Sequence, residues 1–189
     1  MKKILCIVAL LMLVLTSKGQ TSLGEFTTFP DKKLFGLAYK PQIAIGKLDN
    51  EYIICLRYVS PKSYASFDKE SVLLLRLNND SIIKLAIIPE LEITKKYDNS
   101  YNKYSGMSHF YITYSCYSIN ESVLNLIVKD RAEIKKIRAS FTNGDVEDWD
   151  ISQSYQTKLT TGLIDSFKQV EISNAVRKEK INNVLLFLI

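Results

Sequence analysis

The alternation of apolar and polar residues predicts a chain built largely from β-hairpins. Gln42–Lys47 and Glu51–Val59 are strand-like apolar runs that flank a short segment containing Asp and Asn. Ser71–Leu77 and Ser81–Ile88 flank a second segment of the same kind. Because Asn and Asp accept left-handed backbone angles, both connections are expected to be tight turns between antiparallel strands.

A further strand is expected over Ser108–Tyr117, where successive side chains alternate in character. Residues two apart in a strand share a face, and the face that we interpret as the core face holds Phe110, Ile112, Tyr114 and Cys116. The polar segment Pro89–Gly106 before this strand is predicted to be a long loop or, alternatively, to include an edge strand. The lead-in Thr21–Lys33 is expected to be irregular.

A short helix is predicted after this strand, over about residues 119–129. Ser118-Ile119-Asn120-Glu121 matches a capping box, in which a serine hydroxyl and a glutamate side chain satisfy the first free amides of a helix. The chain then returns as a strand over Ile134–Phe141. Asn143-Gly144 is a strong hairpin signal and predicts pairing of that strand with Asp145–Ile151.

A second helix is predicted from Tyr155 to Val170, because apolar residues recur every three or four positions. These residues are Tyr155, Leu159, Leu163, Phe167 and Val170. Gly162 lies within this helix and weakens it by about 1 kcal/mol relative to alanine. The chain ends in an apolar run that we expect to be buried. A final strand over residues 182–189 is our first expectation, and a continuation of the helix is the second.

These elements together predict an α+β fold: a mostly antiparallel sheet built from hairpins, with two helices packed on one face. The stretch Ser118–Phe141 resembles a module of small, uncharacterised exported bacterial proteins. In that module a tyrosine ends a strand, a capped helix follows, and a strand bearing Ile-Lys-Lys-Ile-Arg leads to an Asn-Gly turn. The resemblance carries no known chemistry.

The N-terminus has the three parts of a secretory signal peptide. Met1-Lys2-Lys3 is a positive start, Ile4–Leu15 is an apolar run, and small residues precede Gln20. A membrane-spanning helix needs about 20 apolar residues, so this run is too short to be one. We therefore expect cleavage near Gly19/Gln20, a single domain over residues 20–189, and a periplasmic or secreted location. The alternative is an uncleaved anchor or a buried helix.

Removal of this segment changes the charge of the protein. The chain carries a formal charge of +5, and residues 1–19 contain three lysines and no acid, which leaves +2 for the mature chain. Nucleic-acid binding requires a clustered basic face, which this balance does not favour, so we expect no nucleic-acid partner. The C-terminal apolar run is also too short to span a bilayer, so we expect no transmembrane span in the mature chain.

Cys55 and Cys116 are the cysteines of the mature chain, and each lies in an apolar, strand-like stretch. An exported protein reaches a compartment where disulfides persist, so a Cys55–Cys116 bridge is one expectation. The alternative is a pair of buried free thiols, which behave as small apolar side chains.

The residues that could perform catalysis are few. His109 is the one histidine, and no nucleophile motif, zinc motif or phosphate-binding glycine loop accompanies it. An acidic cluster surrounds Trp149 and contains Asp145, Glu147, Asp148 and Asp150. On a strand these acids divide between two faces, so a solvated hairpin is a simpler interpretation than a calcium site. We expect no catalytic residue, no metal and no cofactor.

Tyrosines offer the most specific functional hypothesis, because an aromatic ring with a polar tip suits recognition of proteins or glycans. Three of them lie in the polar segment before the predicted strand Ser108–Tyr117, at Tyr97, Tyr101 and Tyr104. The sequence thus favours a non-enzymatic exported domain that binds a protein or glycan of the cell envelope or exterior. The alternatives are a small envelope or extracellular hydrolase that uses carboxylates, and a domain that pairs through an exposed strand edge.

Overall fold

The computed structural model describes residues 21–29, 41–60, 62–88, 95–102, 106–142 and 144–186. Over residues 95–102, 106–109 and 178–186 the description is of the backbone. The predicted signal peptide and Tyr104 lie outside the described residues.

Ten strands and two helices are found in the described residues. In chain order they are β1 (Thr21–Leu23), β2 (Thr27–Thr28), β3 (Gln42–Leu48), β4 (Glu51–Ser60), β5 (Val72–Leu77), β6 (Ile82–Ala86), β7 (Lys95–Asn102), β8 (Gly106–Ser118), α1 (Glu121–Val128), β9 (Ile134–Ser140), β10 (Val146–Asp150) and α2 (Gln153–Leu186). The strands form two antiparallel sheets, so the predicted α+β class is confirmed.

The first sheet has the order β1-β3-β4-β8-β7, with β2 also pairing β3, and the second has the order β10-β9-β5-β6. A bridge between Ile87 and Tyr117 joins the chain after β6 to β8. The sequence predicts the hairpins, but it does not show how the hairpins divide between sheets. That division depends on contacts between distant segments, such as β5 with β9.

The predicted hairpins are present with the predicted turn chemistry. Asp49 and Asp80 adopt positive φ angles of 53° and 69°, and Gly144 adopts 79°. Asp and Asn tolerate this conformation better than other side-chain-bearing residues, and glycine adopts it freely. Asn143 lies outside the described residues. Of the two predictions for the segment before β8, the edge strand is confirmed as β7, which pairs with β8 at the end of the first sheet.

One hydrophobic core lies where the two sheets and both helices meet. It takes side chains from every layer, among them Leu56, Leu75, Trp149, Leu124 and Leu163. The apolar stripe of α2 is confirmed at Leu159, Leu163 and Val170, which are all at most 1% exposed. Tyr155 is 40% exposed, so the first residue of the predicted stripe does not reach the core.

The face assignment for β8 is wrong in part. Tyr117 is fully buried in the main core and Thr113 and Ser115 are buried beside it, although the alternation placed them on the outer face. Phe110 and Ile112 form a smaller cluster with Val59 on the opposite face. Both faces of this central strand are covered, and periodicity cannot distinguish two covered faces.

The predicted lead-in also differs, because β1 and β2 pair with the edge of β3. These strands contain three and two residues, which is too short for a sequence pattern to predict.

The first helix begins two residues later than the capping box predicts. Asn120 is the N-cap, and its side-chain oxygen accepts a hydrogen bond from the Val123 amide at 2.9 Å. Ser118 is instead the last residue of β8. The strand continues through Ser118, whose backbone pairs with Ile53 of β4. The helix therefore begins after the strand, at Glu121, and the residue directly before it, Asn120, takes the capping position.

The second helix continues to Leu186, so the strand expected over residues 182–189 is wrong for residues 182–186. Residues 187–189 lie outside the described residues. No proline or glycine follows Gly162 in the chain, so the sequence has no strong helix-stop signal in this region. Of the described residues, neither helix combines the length and the apolar character that crossing a membrane requires.

Candidate functional site

A cleft of about 490 Å³ opens where the β4 end of the first sheet meets the β9–β10 hairpin of the second. We call it the inter-sheet cleft. Its lining residues are Tyr58, Ser60, Ser63, Tyr64, Ala65, Ser66, Phe141, Thr142, Asp145, Val146 and Glu147. This volume lies within the range of about 300–1,000 Å³ that is typical of ligand pockets.

The connection between β4 and β5 forms one wall of the inter-sheet cleft, and hydrogen bonds attach it to both sheets. The Ala65 amide donates to Thr113 Oγ1 on β8 at 3.1 Å. The Thr142 amide, at the end of β9, donates to the Ser66 carbonyl at 3.0 Å. Hydrogen bonds therefore hold the wall to both sheets.

The opposite wall comes from β10 and the turn before it. Trp149 is fully buried, and Glu147, two residues earlier, lies on the same face of the strand. Glu147 therefore points toward the space between the sheets, at the place where that space opens to solvent. Its carboxylate Oε1 accepts a hydrogen bond of 3.0 Å from the Tyr58 hydroxyl on β4.

The Tyr58 hydroxyl is held in its protonated form. Burial raises the pKa of Tyr58, and the neighbouring negative charge of Glu147 raises this pKa further. The phenol therefore remains a hydrogen-bond donor to Glu147 at physiological pH.

Three aromatic residues line the inter-sheet cleft: Tyr58, Tyr64 and Phe141. The ring centroids of Tyr58 and Phe141 are 5.3 Å apart, and those of Phe141 and Phe67 are 5.1 Å apart. Tyr64 packs edge-on against Tyr111 of β8, with centroids 5.1 Å apart. These contacts fix the ring positions before any ligand arrives, which reduces the entropy lost on binding.

Two of the three tyrosines singled out in the sequence, Tyr97 and Tyr101, lie on β7 at the edge of the first sheet. Tyr97 pairs in register with Tyr111, and Tyr101 pairs with Met107. Cross-strand partners occupy the same face of an antiparallel sheet, so Tyr97 and Tyr101 share the face that carries Tyr111. The register thus places Tyr97 beside Tyr111, whose ring contacts Tyr64 of the cleft lining.

The predicted acidic cluster divides between the two faces of β10, because successive side chains of a strand point to opposite faces. Asp145 and Glu147 line the inter-sheet cleft, whereas Asp148 and Asp150 pair with cations of β9. Arg138 binds both carboxylate oxygens of Asp148 at 2.6 and 2.7 Å. This hydrogen bonding lowers the pKa of Asp148 to about 2. Among the described residues, no group of three or more His, Cys, Asp or Glu side chains could hold a metal ion.

A smaller pocket of about 130 Å³ lies on the outer face of the second sheet. It is lined by Leu74, Arg76, Ile82, Lys136 and Arg138. All three basic residues of this pocket already form ion pairs, Arg76 with Asp80 and the other two with Asp148. It is therefore a weaker candidate for an anion site than its composition suggests.

The two cysteines of the predicted mature chain lie on neighbouring strands. Cys55 of β4 is the register partner of Cys116 of β8, and their Cα atoms are 4.2 Å apart. The structure joins them as a disulfide. His109 lies on β8 opposite Asn99 of β7, between the Tyr97–Tyr111 and Tyr101–Met107 pairs, and it is not among the residues that line the inter-sheet cleft.

The sequence did not single out Tyr58, Tyr64 or Phe141 as site residues. The link between Tyr58 and Glu147 joins residues 89 positions apart, and no local pattern reports such a contact. One available signal was the position of Tyr58 near the end of a long apolar strand, where a ring can reach solvent. No protein-family model, curated protein or solved structure matched this chain.

Proposed function

We propose that this protein is an exported, non-enzymatic domain that binds a protein or glycan of the cell envelope or exterior through the inter-sheet cleft. Export rests on the signal-like sequence of residues 1–20. Binding rests on one observation: aromatic rings, hydroxyl groups and two carboxylates converge on one opening between two sheets. Aromatic surface combined with a few fixed polar groups is typical of recognition sites.

A macromolecular ligand is favoured over a small one by the surface next to the inter-sheet cleft. The register of β7 and β8 places Tyr97 beside Tyr111, which is beside Tyr64 of the lining. A partner that inserts one group into the inter-sheet cleft can therefore extend along the β7–β8 face. Tyrosine is enriched at protein interfaces because its ring buries apolar area while its hydroxyl keeps a polar partner.

Crosslinking capture of the mature protein from its own cell envelope tests the proposal. Ser63 is exposed and lines the inter-sheet cleft, so Ser63→Trp should block the opening while leaving the core unchanged. Ile172→Trp is the matched control, because Ile172 is 64% exposed on α2 and is not part of this lining. We expect a partner that wild type and Ile172→Trp retain and Ser63→Trp loses.

Equal retention by all three proteins would show that binding, if present, uses another surface. Failure to enrich any partner, together with turnover of an envelope glycan, would replace the binding function with an enzymatic one.

A carboxylate-dependent hydrolase is the second candidate, because Asp145 and Glu147 line the same cleft. Glycoside hydrolysis uses two such groups on either side of the scissile bond. The test is release of reducing sugar from isolated envelope glycan by wild type and by Glu147→Gln. Activity that Glu147→Gln abolishes would support the hydrolase, and no activity in wild type would exclude this substrate class.

A further inference from the structure

We infer that the inter-sheet cleft takes a primary ammonium group on a flexible alkyl chain, such as a lysine side chain of the partner. This inference rests on the proposed function, and it names the chemistry of the group that enters the site. It stands on three properties of the cavity: the carboxylate of Glu147, the aromatic rings of the lining and the bond that fixes Glu147.

The acidic residues of the described lining are Asp145 and Glu147, and that lining contains no lysine, arginine or histidine. Of the two, Glu147 is the carboxylate that we expect to bind the ammonium group. Lys62 is close in sequence, but it is exposed and lies outside the lining. A carboxylate in a lining without a described basic residue attracts a cation and repels phosphate or carboxylate groups.

The carboxylates on the two faces of β10 have different partners. On the outer face Asp148 and Asp150 are paired with Lys136, and Asp148 also with Arg138. On the cleft face, Glu147 accepts its described hydrogen bond from the neutral Tyr58 hydroxyl. Hence the bond that orients Glu147 brings no positive charge to it, and no described residue forms an ion pair with this carboxylate. A ligand ammonium can supply the opposite charge.

The aromatic rings favour an ammonium group on an alkyl chain over a cation without such a chain. Tyr58, Tyr64 and Phe141 present aromatic surface in the inter-sheet cleft. An aromatic face attracts a cation and also packs against methylene groups, and a lysine-like chain offers both. Because the ammonium of a free diamine has the same chemistry, the experiment must separate the two sources.

The test is an NMR titration of the mature, ¹⁵N-labelled protein with four probes. They are N-acetyl-lysine-N-methylamide, its neutral isostere N-acetyl-norleucine-N-methylamide, cadaverine and glucose. We expect the lysine probe to shift the amides of Tyr64, Ser66 and Val146. The norleucine probe should bind about twofold to fivefold more weakly, because it lacks a partly exposed charge pair. Tighter binding of the lysine probe than of cadaverine would assign the ammonium to a polypeptide.

Two variants locate the charge that matters. Glu147→Gln should weaken binding of the lysine probe about fivefold, because it removes the charge while keeping an oxygen that accepts from Tyr58. Asp150→Asn removes the same charge from the outer face of the same strand and should leave affinity within about twofold, because that carboxylate is exposed and solvent-screened. If Glu147→Gln perturbs folding, salt titration of wild type gives the same information, since added salt should weaken lysine binding and not norleucine binding.

Equal binding of the lysine and norleucine probes, or equal effects of Glu147→Gln and Asp150→Asn, would overturn the inference. Binding of glucose at these amides without binding of lysine would do the same and would leave the proposed function standing. The proposed function itself fails in the capture experiment, when Ser63→Trp retains the partner, so the two failures are distinguishable.

Discussion

At the scale of single residues, Ser166 of α2 replaces a missing strand partner. Its hydroxyl accepts a hydrogen bond of 2.9 Å from the Ile45 amide and donates one of 3.1 Å to the Ile45 carbonyl. Ile45 lies in β3 between the residues that pair with β1 and those that pair with β2. The serine therefore satisfies the backbone at the point where the edge of the sheet is interrupted.

Ser166→Ala should lower the free energy of unfolding by about 1–3 kcal/mol, because it leaves a buried amide without a partner. Ser173→Ala is the control, since Ser173 is exposed on the same helix and gains the same helix propensity. Urea unfolding of the three proteins measures the difference. Equal midpoints for the two variants would mean that the hydroxyl of Ser166 contributes nothing.

Gly162 has a structural role that its sequence context does not predict. Considered as part of a helix alone, it is a weak position that alanine would improve by about 1 kcal/mol. In the folded protein a Cβ on Gly162 would lie 2.8 Å from Thr27 Cβ of β2. The glycine is needed because α2 and β2 approach closely, and no local pattern reveals that approach.

Gly162→Ala should therefore destabilise the protein, by about 1–3 kcal/mol, because overpacking outweighs the gain in helix propensity. Thr161→Ala, at the exposed neighbouring position, should be neutral or slightly stabilising. Adding Thr27→Gly to Gly162→Ala should raise the thermal midpoint above that of Gly162→Ala alone. A Gly162→Ala protein as stable as wild type would show that the two backbones can separate at little cost.

At the scale of elements, the sequence predicts the hairpins and the apolar stripe of α2 because their signals are local. Turn residues such as Asp80 and Gly144 adopt the positive φ angles that their chemistry allows. The ends of elements are less predictable, because they depend on distant partners. Ser118 continues β8 through pairing with β4, and α2 runs on to Leu186 where a strand was expected.

The ion pairs on the outer face of β10 predict how the stability of the fold depends on pH. Hydrogen bonding from Arg138 lowers the pKa of Asp148 from 3.8 to about 2. A carboxyl group whose pKa is lower in the folded state stabilises the fold above its unfolded pKa, and loses that contribution as pH falls through the folded pKa. Because both side chains are partly exposed, solvent screening reduces the contribution to the order of 1 kcal/mol.

Asp148→Asn should consequently lower stability at neutral pH and flatten the decline in stability between about pH 4 and pH 2. Asp150→Asn should change the profile much less, since its carboxylate is 60% exposed and 3.8 Å from Lys136 Nζ. Urea midpoints measured across this pH range test both. An unchanged acid profile in Asp148→Asn would assign the acid sensitivity to other carboxyl groups.

At the scale of the whole molecule, the site depends on how two sheets meet. The sequence indicated an acidic cluster and a tyrosine-rich segment, and the structure brings Glu147 of the first and the neighbours of Tyr97 to the inter-sheet cleft. Tyr58 and Tyr64 also line the inter-sheet cleft, yet no local sequence pattern marks either of them as a site residue. Only the assembly of β4, β8 and β10 shows that they share a site, because the contacts span dozens of residues.

The Cys55–Cys116 bridge also acts on the whole molecule, because it links β4 and β8 across 61 residues of chain. Closing a loop of this length removes conformational entropy from the unfolded chain worth about 4 kcal/mol in the chain-entropy description. The β5–β6 hairpin and the segment with Tyr64 lie within this loop. The bridge therefore stabilises the connection that carries one wall of the inter-sheet cleft.

Alkylation of the unreduced mature protein followed by mass spectrometry should find no modified cysteine. Reduction should lower the urea midpoint, and the Cys55→Ala/Cys116→Ala protein should have the same lowered midpoint with and without reductant. Two alkylated thiols in the native protein would exclude the bridge and favour a pair of free thiols. Because β4 and β8 pair at seven positions apart from the bridge, the reduced protein should keep the β4–β8 hydrogen bonds, detectable as slow amide exchange.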